Sequence, residues 1–270
     1  MSRIKGSTIL ITGAGCGIGR LMALKLAARG GRLVLWDINQ ENLERVRDEL
    51  ARAGREVYAY TCDVSDRQAV YATAQEVFRQ AGGVDILINN AGVVSGKSFL
   101  ECSDQQIERT LAVNTMALFW TTKAFLPRMI QVNRGHLVTI SSAGGLVGTP
   151  GLADYCASKF AAFGFDEALR GELRKKGLNI RTTVVCPYYI DTGMFDGVKT
   201  RFPLLLPILK EGYVAERVVR AIRRNRARVF MPPMVYTVPL TRVLPVSLMD
   251  RLLDFLGVTH TMDEFRGRQG

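Results

Sequence analysis

The sequence predicts an α/β fold: one doubly wound parallel sheet with helices on both faces, followed by a C-terminal extension. Three observations predict it. Short apolar, β-branched runs alternate with longer stretches of helical periodicity, and strands that alternate with helices pair in parallel through right-handed crossovers. The first of these runs passes through a glycine-dense turn directly into a helix. No internal repeat, low-complexity linker or second boundary divides the 270 residues, so residues 1–270 read as a single domain, with 196–270 as lid and extension. A chain of this length buries a sizeable core, and with 47% hydrophobic against 23% charged residues it is globular, not disordered.

The first strand, Thr8-Ile-Leu-Ile-Thr12, runs into Gly13-Ala-Gly-Cys-Gly-Ile-Gly19 and then into a helical pattern over residues 21–28. Glycine lets the backbone approach a ligand, and a helix N-terminus presents free N–H groups and a positive dipole end to a pyrophosphate. The spacing is Thr-Gly-x-x-x-Gly-x-Gly on Gly13, Gly17 and Gly19, with Ile18 where the Gly-x-Gly-x-x-Gly form needs its third glycine. A tight turn without ligand is the plainer alternative, and the flanking strand and helix weigh against it. The second strand, residues 32–37, ends in Asp37, eighteen residues after Gly19. A carboxylate there accepts hydrogen bonds from ribose hydroxyls and repels a 2′-phosphate, which favours NAD over NADP. Cys16 stands where a phosphate-binding version would carry a basic residue. Asp37 also suits the N-cap of the next helix, 39–53, and the two roles are compatible.

A third strand, 56–61, leads to Asp63-Val64, where Asp63 meets an adenine edge or caps the helix over 67–81. A fourth, 84–88, ends in Asn89-Asn90-Ala91-Gly92, small and amide residues that suit a cofactor passing over a strand's carboxyl end, or else a simple turn. The pattern over 104–132 predicts one long helix with Asn114 in an apolar interior, where a carboxamide either satisfies a buried group or orders water. The fifth strand, 136–140, delivers Ser142 at its tip, thirteen residues before Tyr155. Tyr155 and Lys159, four apart, share a helix face, so the ammonium is expected to favour phenolate and lower the phenol pKa. A sixth strand, 180–186, is closed by Pro187. The glycine turn, Asn89, Ser142 and Pro187 all follow strands and should share one rim.

In this order, Thr12-Gly13 through Gly19, Asn89 to Gly92, Asn114, Ser142, Tyr155 and Lys159 resemble the short-chain dehydrogenase/reductase family over roughly residues 7–195. The resemblance implies a Rossmann-type fold and an NAD(P)-dependent alcohol dehydrogenase or carbonyl reductase. It implies Tyr155 as acid/base, Lys159 on the nicotinamide ribose, Ser142 polarising the substrate oxygen, Asn114 holding a relay water, and Thr192 at the carboxamide. Tyr188 departs from the glycine often found after the family's proline, which bears on local backbone contacts. Phe119-Trp-Thr-Thr-Lys-Ala-Phe-Leu-Pro-Arg-Met129 and Asp191-Thr-Gly-Met-Phe-Asp-Gly197 resemble the branch of epidermal-type retinol dehydrogenases and 17-beta-hydroxysteroid dehydrogenases. That branch implies a lipophilic alcohol or carbonyl (retinoid, steroid or long-chain alcohol) and, in its usual form, an apolar N-terminal anchor, for which too few residues precede the first strand here.

Residues 202–209 are apolar and proline-punctuated, as a lid over a greasy substrate would be. Residues 213–228 read as a helix with six arginines, and 229–249 carry one charge but four prolines, which argues against a spanning helix. Helical periodicity resumes at 248–256. Arginines beside apolar surface suggest a peripheral membrane contact, and a seventh strand with a cap over the pocket is the alternative. Five scattered cysteines without a Cys-x-x-Cys pair speak against disulfides or a zinc site and for a cytoplasmic setting, with no metal expected. The net charge of +11 attracts polyanions, but no basic strip interleaves with stacking aromatics, so no nucleic-acid partner is expected. A purely regulatory dinucleotide sensor would not need Ser142, Tyr155 and Lys159 together. Apolar excess on helices 109–130 and 153–175 predicts a homodimer or homotetramer.

Overall fold

The computed structural model describes residues 2–267, so the outermost positions of the expected 1–270 domain and 196–270 extension lie outside the described residues. The strands are β1 (Thr8–Thr12), β2 (Arg32–Asp37), β3 (Val57–Thr61), β4 (Ile86–Asn89), β5 (Gly135–Ile140), β6 (Ile180–Pro187) and β7 (Arg228–Met231). The helices are α1 (Gly17–Ala27), α2 (Gln40–Arg52), α3 (Arg67–Ala81), α4 (Asp104–Leu111), α5 (Ala117–Gln131), α6 (Ala153–Lys175), α7 (Glu211–Arg223), α8 (Val238–Thr241) and α9 (Val246–Leu256). The sheet is parallel throughout, in the order β3-β2-β1-β4-β5-β6-β7. Strand order reverses between β1 and β4, which opens a crevice at their carboxyl ends.

Strand residues alternate between two cores, as a period of two requires. Ile9, Ile11, Leu33, Leu35, Ile86 and Ile88 pack with α1, α2 and α7, while Leu10, Val34, Trp36 and Leu87 pack with α3, α5 and α6. Because both faces are covered, strands such as β1 and β5 are buried along their whole length and read as continuous runs. Each fully buried aliphatic side chain contributes on the order of 1.5–3 kcal/mol, which is what fixes the sheet beneath the rim.

Four expectations need correction. The helix over 104–132 is broken by a π turn at Ala112–Met116, because Asn114 turns inward to bond neighbouring segments. Asn39, not Asp37, caps α2 through Asn42 N. Asp66, not Asp63, caps α3 through Gln68 N and Ala69 N. The arginine-rich helix ends at Arg223, Asn225 adopts a left-handed φ of 50°, and Arg228 opens β7. Residues 229–231 are thus buried sheet, and the following α8 and α9 wall the cavity described below. Arg224 and Arg226 lie at the amino end of β7, the far end of a parallel sheet from the rim. Among the described residues, no helix is long and apolar enough to cross a membrane.

Candidate active site

The carboxyl ends of β1, β4, β5 and β6 surround a cavity of about 420 Å³. It brings together Gly13, Gly17, Ile18, Gly19, Asp37, Asp63, Val64, Asn90, Ala91, Gly92, Ser142, Tyr155, Lys159, Pro187 and Thr192. Asn114 and Asn89, also singled out in the sequence, do not line it: both are buried, and Asn89 Oδ1 accepts from Thr121 Oγ1 at 2.8 Å.

At one end β1 passes into α1 through positive-φ glycines, Gly13 at 65° and Gly17 at 51°, a region that side chains other than glycine enter at a cost. A Cβ on Gly13 would meet the Ala91 Cα at 2.9 Å, and one on Gly19 would overlap the Gly13 carbonyl oxygen. The turn is sewn to β4. Thr12 Oγ1 accepts from the N–H groups of Asn90 (3.0 Å) and Ala91 (3.1 Å), and Asn90 Nδ2 donates to the carbonyls of Thr12 (2.9 Å) and Gly13 (3.0 Å). Asn90 therefore shapes the glycine turn besides lining the cavity. The N-terminus of α1 opens on the cavity through Gly17 and Ile18, which turns its positive dipole end to the cradle as a pyrophosphate requires.

Asp37, at the tip of β2, accepts from Gly15 N (2.7 Å) and Asn39 N (2.9 Å), which fixes a carboxylate on the cavity wall. Asp63 is held by Ser65 N (2.9 Å), Ser65 Oγ (2.6 Å) and Arg109 (3.0 Å). Its partial burial acts to raise its pKa, and these donors together outweigh it and hold the carboxyl below its usual range.

At the other end α6 presents Tyr155, buried, and one turn later Lys159. Lys159 Nζ donates to the Ile140 carbonyl at 3.0 Å and lies 5.6 Å from the Tyr155 ring centroid. Burial pushes Lys159 down to about 8. Burial also lifts the Tyr155 phenol well above its ordinary value, with the nearby Ser142 hydroxyl only partly opposing it. The expected lowering of the phenol is thus reversed, because desolvation of a buried phenolate outweighs an ammonium that is itself desolvated. Ser142 Oγ accepts from Gly144 N at 3.1 Å, which sets the hydroxyl at the end of β5.

Asn114 bonds Val93 N (2.8 Å), Val93 O (2.9 Å) and Ser158 Oγ (3.0 Å), so its carboxamide ties the π turn to the β4 loop and to α6. This is the first of the two roles open to it in the sequence. Gly92 passes between them: its Cβ would sit 3.3 Å from Asn114 Oδ1 and 3.4 Å from Lys159 Nζ.

Beyond Tyr155 lies an apolar chamber, covered by the cap over the pocket that the sequence offers as the alternative for 229–249, though most of its wall residues are not singled out there. Its walls include Tyr188, Tyr189 and Phe195 after β6, and Val238, Leu252 and Leu256 of α8 and α9. Phe195 stands edge-on to Tyr155 at 5.6 Å and 81°. The signals in the sequence were the paired tyrosines after Pro187, the proline-punctuated 202–209, of which Leu206 lines the cavity, and the helical phase of 248–256.

Comparison with known proteins agrees with this geometry. A family described as short chain dehydrogenase matches residues 7–201. Human (Homo sapiens) epidermal retinol dehydrogenase 2 is 49% identical over 265 residues, covering 97% of this chain and 86% of the relative. A short chain dehydrogenase/reductase from Burkholderia phymatum in complex with NAD superposes with a TM-score of 0.82 at 31% identity, over 90% of this chain and 95% of its own. A metagenomic short-chain oxidoreductase in complex with NADP gives 0.73 at 30% identity, over 85% and 98%.

Proposed function

The chain belongs to the short chain dehydrogenase family and is an NAD(P)-dependent oxidoreductase, and from that premise we propose that it transfers hydride between NAD and a lipophilic alcohol or carbonyl of the retinoid, steroid or long-chain class. The observation that carries this reading is the continuity of one cavity, from the glycine turn and Asp37, past Tyr155 and Lys159, into the apolar chamber. The resemblance to a retinol dehydrogenase supports the substrate class. For the choice of NAD, the support is a carboxylate fixed on the nucleotide wall at Asp37, where it would repel an added phosphate. Arg20 on α1 and Arg32 at the start of β2 are engaged with Glu49 and with Thr8 and Glu56.

A bound nicotinamide dinucleotide supplies the hydride acceptor. The glycine turn and α1 hold its pyrophosphate, Val64 and Asp63 flank the adenine end, and Ala91, Gly92, Pro187, Thr192 and Lys159 line the nicotinamide end. Ser142 donates to the substrate oxygen and Tyr155 accepts the hydroxyl proton in oxidation or returns it in reduction. Lys159 keeps a positive charge beside the phenol, and Asn114 positions Lys159 through the Val93–Gly92 segment. The enzyme works as a homodimer or homotetramer in the cytoplasm, touching a lipid surface through α8 and α9, where Leu240, Val243 and Val246 are 72%, 85% and 76% exposed. Side-by-side kinetics with NAD and NADP on a retinol, a hydroxysteroid and a long-chain alcohol test it. Turnover with NAD favoured is expected; preference for NADP would refute the cofactor choice, and turnover confined to short polar alcohols would refute the substrate class.

A further inference from the structure

We propose that residues 258–266 form a strap that positions the substrate wall of this active site, with Phe265 as its key. The inference rests on the oxidoreductase reading above. After α9 the chain turns at Gly257 and runs back over the rim, through Thr261 and Met262 to Phe265. There it meets the loops leaving β4, β5 and β6, each of which offers a glycine of positive φ: Gly96 at 66°, Gly151 at 75° and Gly197 at 87°. A Cβ at Gly96 would overlap the Phe265 ring, one at Gly197 would overlap the Glu264 carbonyl oxygen, and one at Gly151 would lie 3.3 Å from Met262 Cβ. Backbone shape and lack of space thus select the same residue at three loops that are far apart in sequence and share the strap.

Hydrogen bonds complete the attachment. Arg266 N donates to Asp196 O at 2.8 Å, Lys199 N to Thr261 O at 3.3 Å, and the buried hydroxyls of Tyr189 and Thr261 meet at 2.8 Å. A row of rings leads from the strap to the reacting phenol. Phe265 lies 6.4 Å from Phe195, which lies 5.1 Å from Tyr189 and edge-on to Tyr155 at 5.6 Å. Phe195 is held in that place by Phe265 behind it and by Tyr189, itself pinned by Thr261. The ring fixes the side from which a substrate oxygen reaches Tyr155 and keeps water from it, and small misplacements of reacting groups are costly in rate. Phe265 and Thr261 therefore act through Phe195 and Tyr189 as positioning residues.

The test compares the full chain with Phe265→Ala, Phe265→Leu and Thr261→Val, measuring thermal melting, NAD affinity by nucleotide fluorescence, and kcat and KM separately on one lipophilic alcohol. Phe265→Ala should lower kcat by about 10- to 100-fold with NAD affinity unchanged, Phe265→Leu should restore most of the loss, and Thr261→Val should lower kcat in the same direction by less. Thr261→Val removes one hydroxyl and keeps the shape, so it stands as the measurement should Phe265→Ala fail to fold. A folded Phe265→Ala or Thr261→Val enzyme with wild-type kcat would overturn the strap alone, as would a loss that appears equally in NAD affinity. A wild-type enzyme that oxidises no alcohol with either nucleotide would overturn the oxidoreductase reading and the strap with it.

Discussion

At Tyr155 and Lys159 two titrations oppose each other, and their signs set the pH dependence of oxidation. The working state needs Tyr155 without its proton and Lys159 with its own. Burial holds the phenol above its ordinary value and the ammonium at about 8, so below about 8 each rise in pH generates more phenolate beside a charged lysine, whereas above it every phenolate gained is offset by an ammonium lost. The kcat/KM for alcohol oxidation should therefore climb with pH to about 8 and then level, and a profile that falls between 6 and 8 would contradict the assignment. Tyr155→Phe keeps the ring and removes the titrating hydroxyl, so turnover should drop by about 10²–10⁴-fold while NAD affinity, measured by fluorescence, is kept. Asp37→Ala should relax the preference for NAD towards NADP in the same kinetic comparison, since it removes a fixed negative charge from the nucleotide wall.

The π turn between α4 and α5 depends on one carboxamide. Asn114→Ala leaves the Val93 N–H and Ser158 hydroxyl without that partner, and leaving a buried polar group unsatisfied costs about 1–3 kcal/mol, so urea denaturation should show a loss of that size. An unchanged midpoint would mean the turn is held by something else. Elements like this mark the limit of what the sequence reveals. The period-two and period-3.6 patterns made the strands and most helices legible, and strand tips located the residues at the glycine-turn and Ser142 parts of the cavity, because in a parallel sheet every such tip faces the same rim. What stayed hidden depends on distant partners. Asn114 bends a helix through Val93 and Ser158, the caps at Asn39 and Asp66 lie two or three residues beyond the carboxylates that looked suited to the task, and Asn225 ends α7 through its backbone conformation. The chamber walls were less legible still, since apolar residues of α9 read alike whether they face a core, a cavity or a lipid.

At the scale of the whole molecule, two of the exposed apolar surfaces among the described residues bear on assembly. Met116, Phe119 and Ile130 are partly exposed on the π turn and α5, and burying them against a second copy would give light-scattering masses of at least twice 29.9 kDa; a mass of 29.9 kDa maintained across dilution would exclude association there. The α8–α9 stretch should bind vesicles through its exposed aliphatic residues with only modest dependence on anionic lipid, because Leu240, Val243 and Val246 carry its exposure while Arg224 and Arg226 lie at the amino end of β7, away from the rim. Recovery of all the protein in the supernatant with both neutral and anionic vesicles would exclude this contact. The central claim is direct hydride transfer from a lipophilic alcohol, with Tyr155 handling the proton, and it is tested most directly with retinol deuterated at its carbinol carbon in the presence of NAD. Wild-type enzyme should deliver the deuterium into the reduced nucleotide at a rate that Tyr155→Phe nearly abolishes. Deuterium released to solvent, or equal transfer by the two proteins, would contradict it.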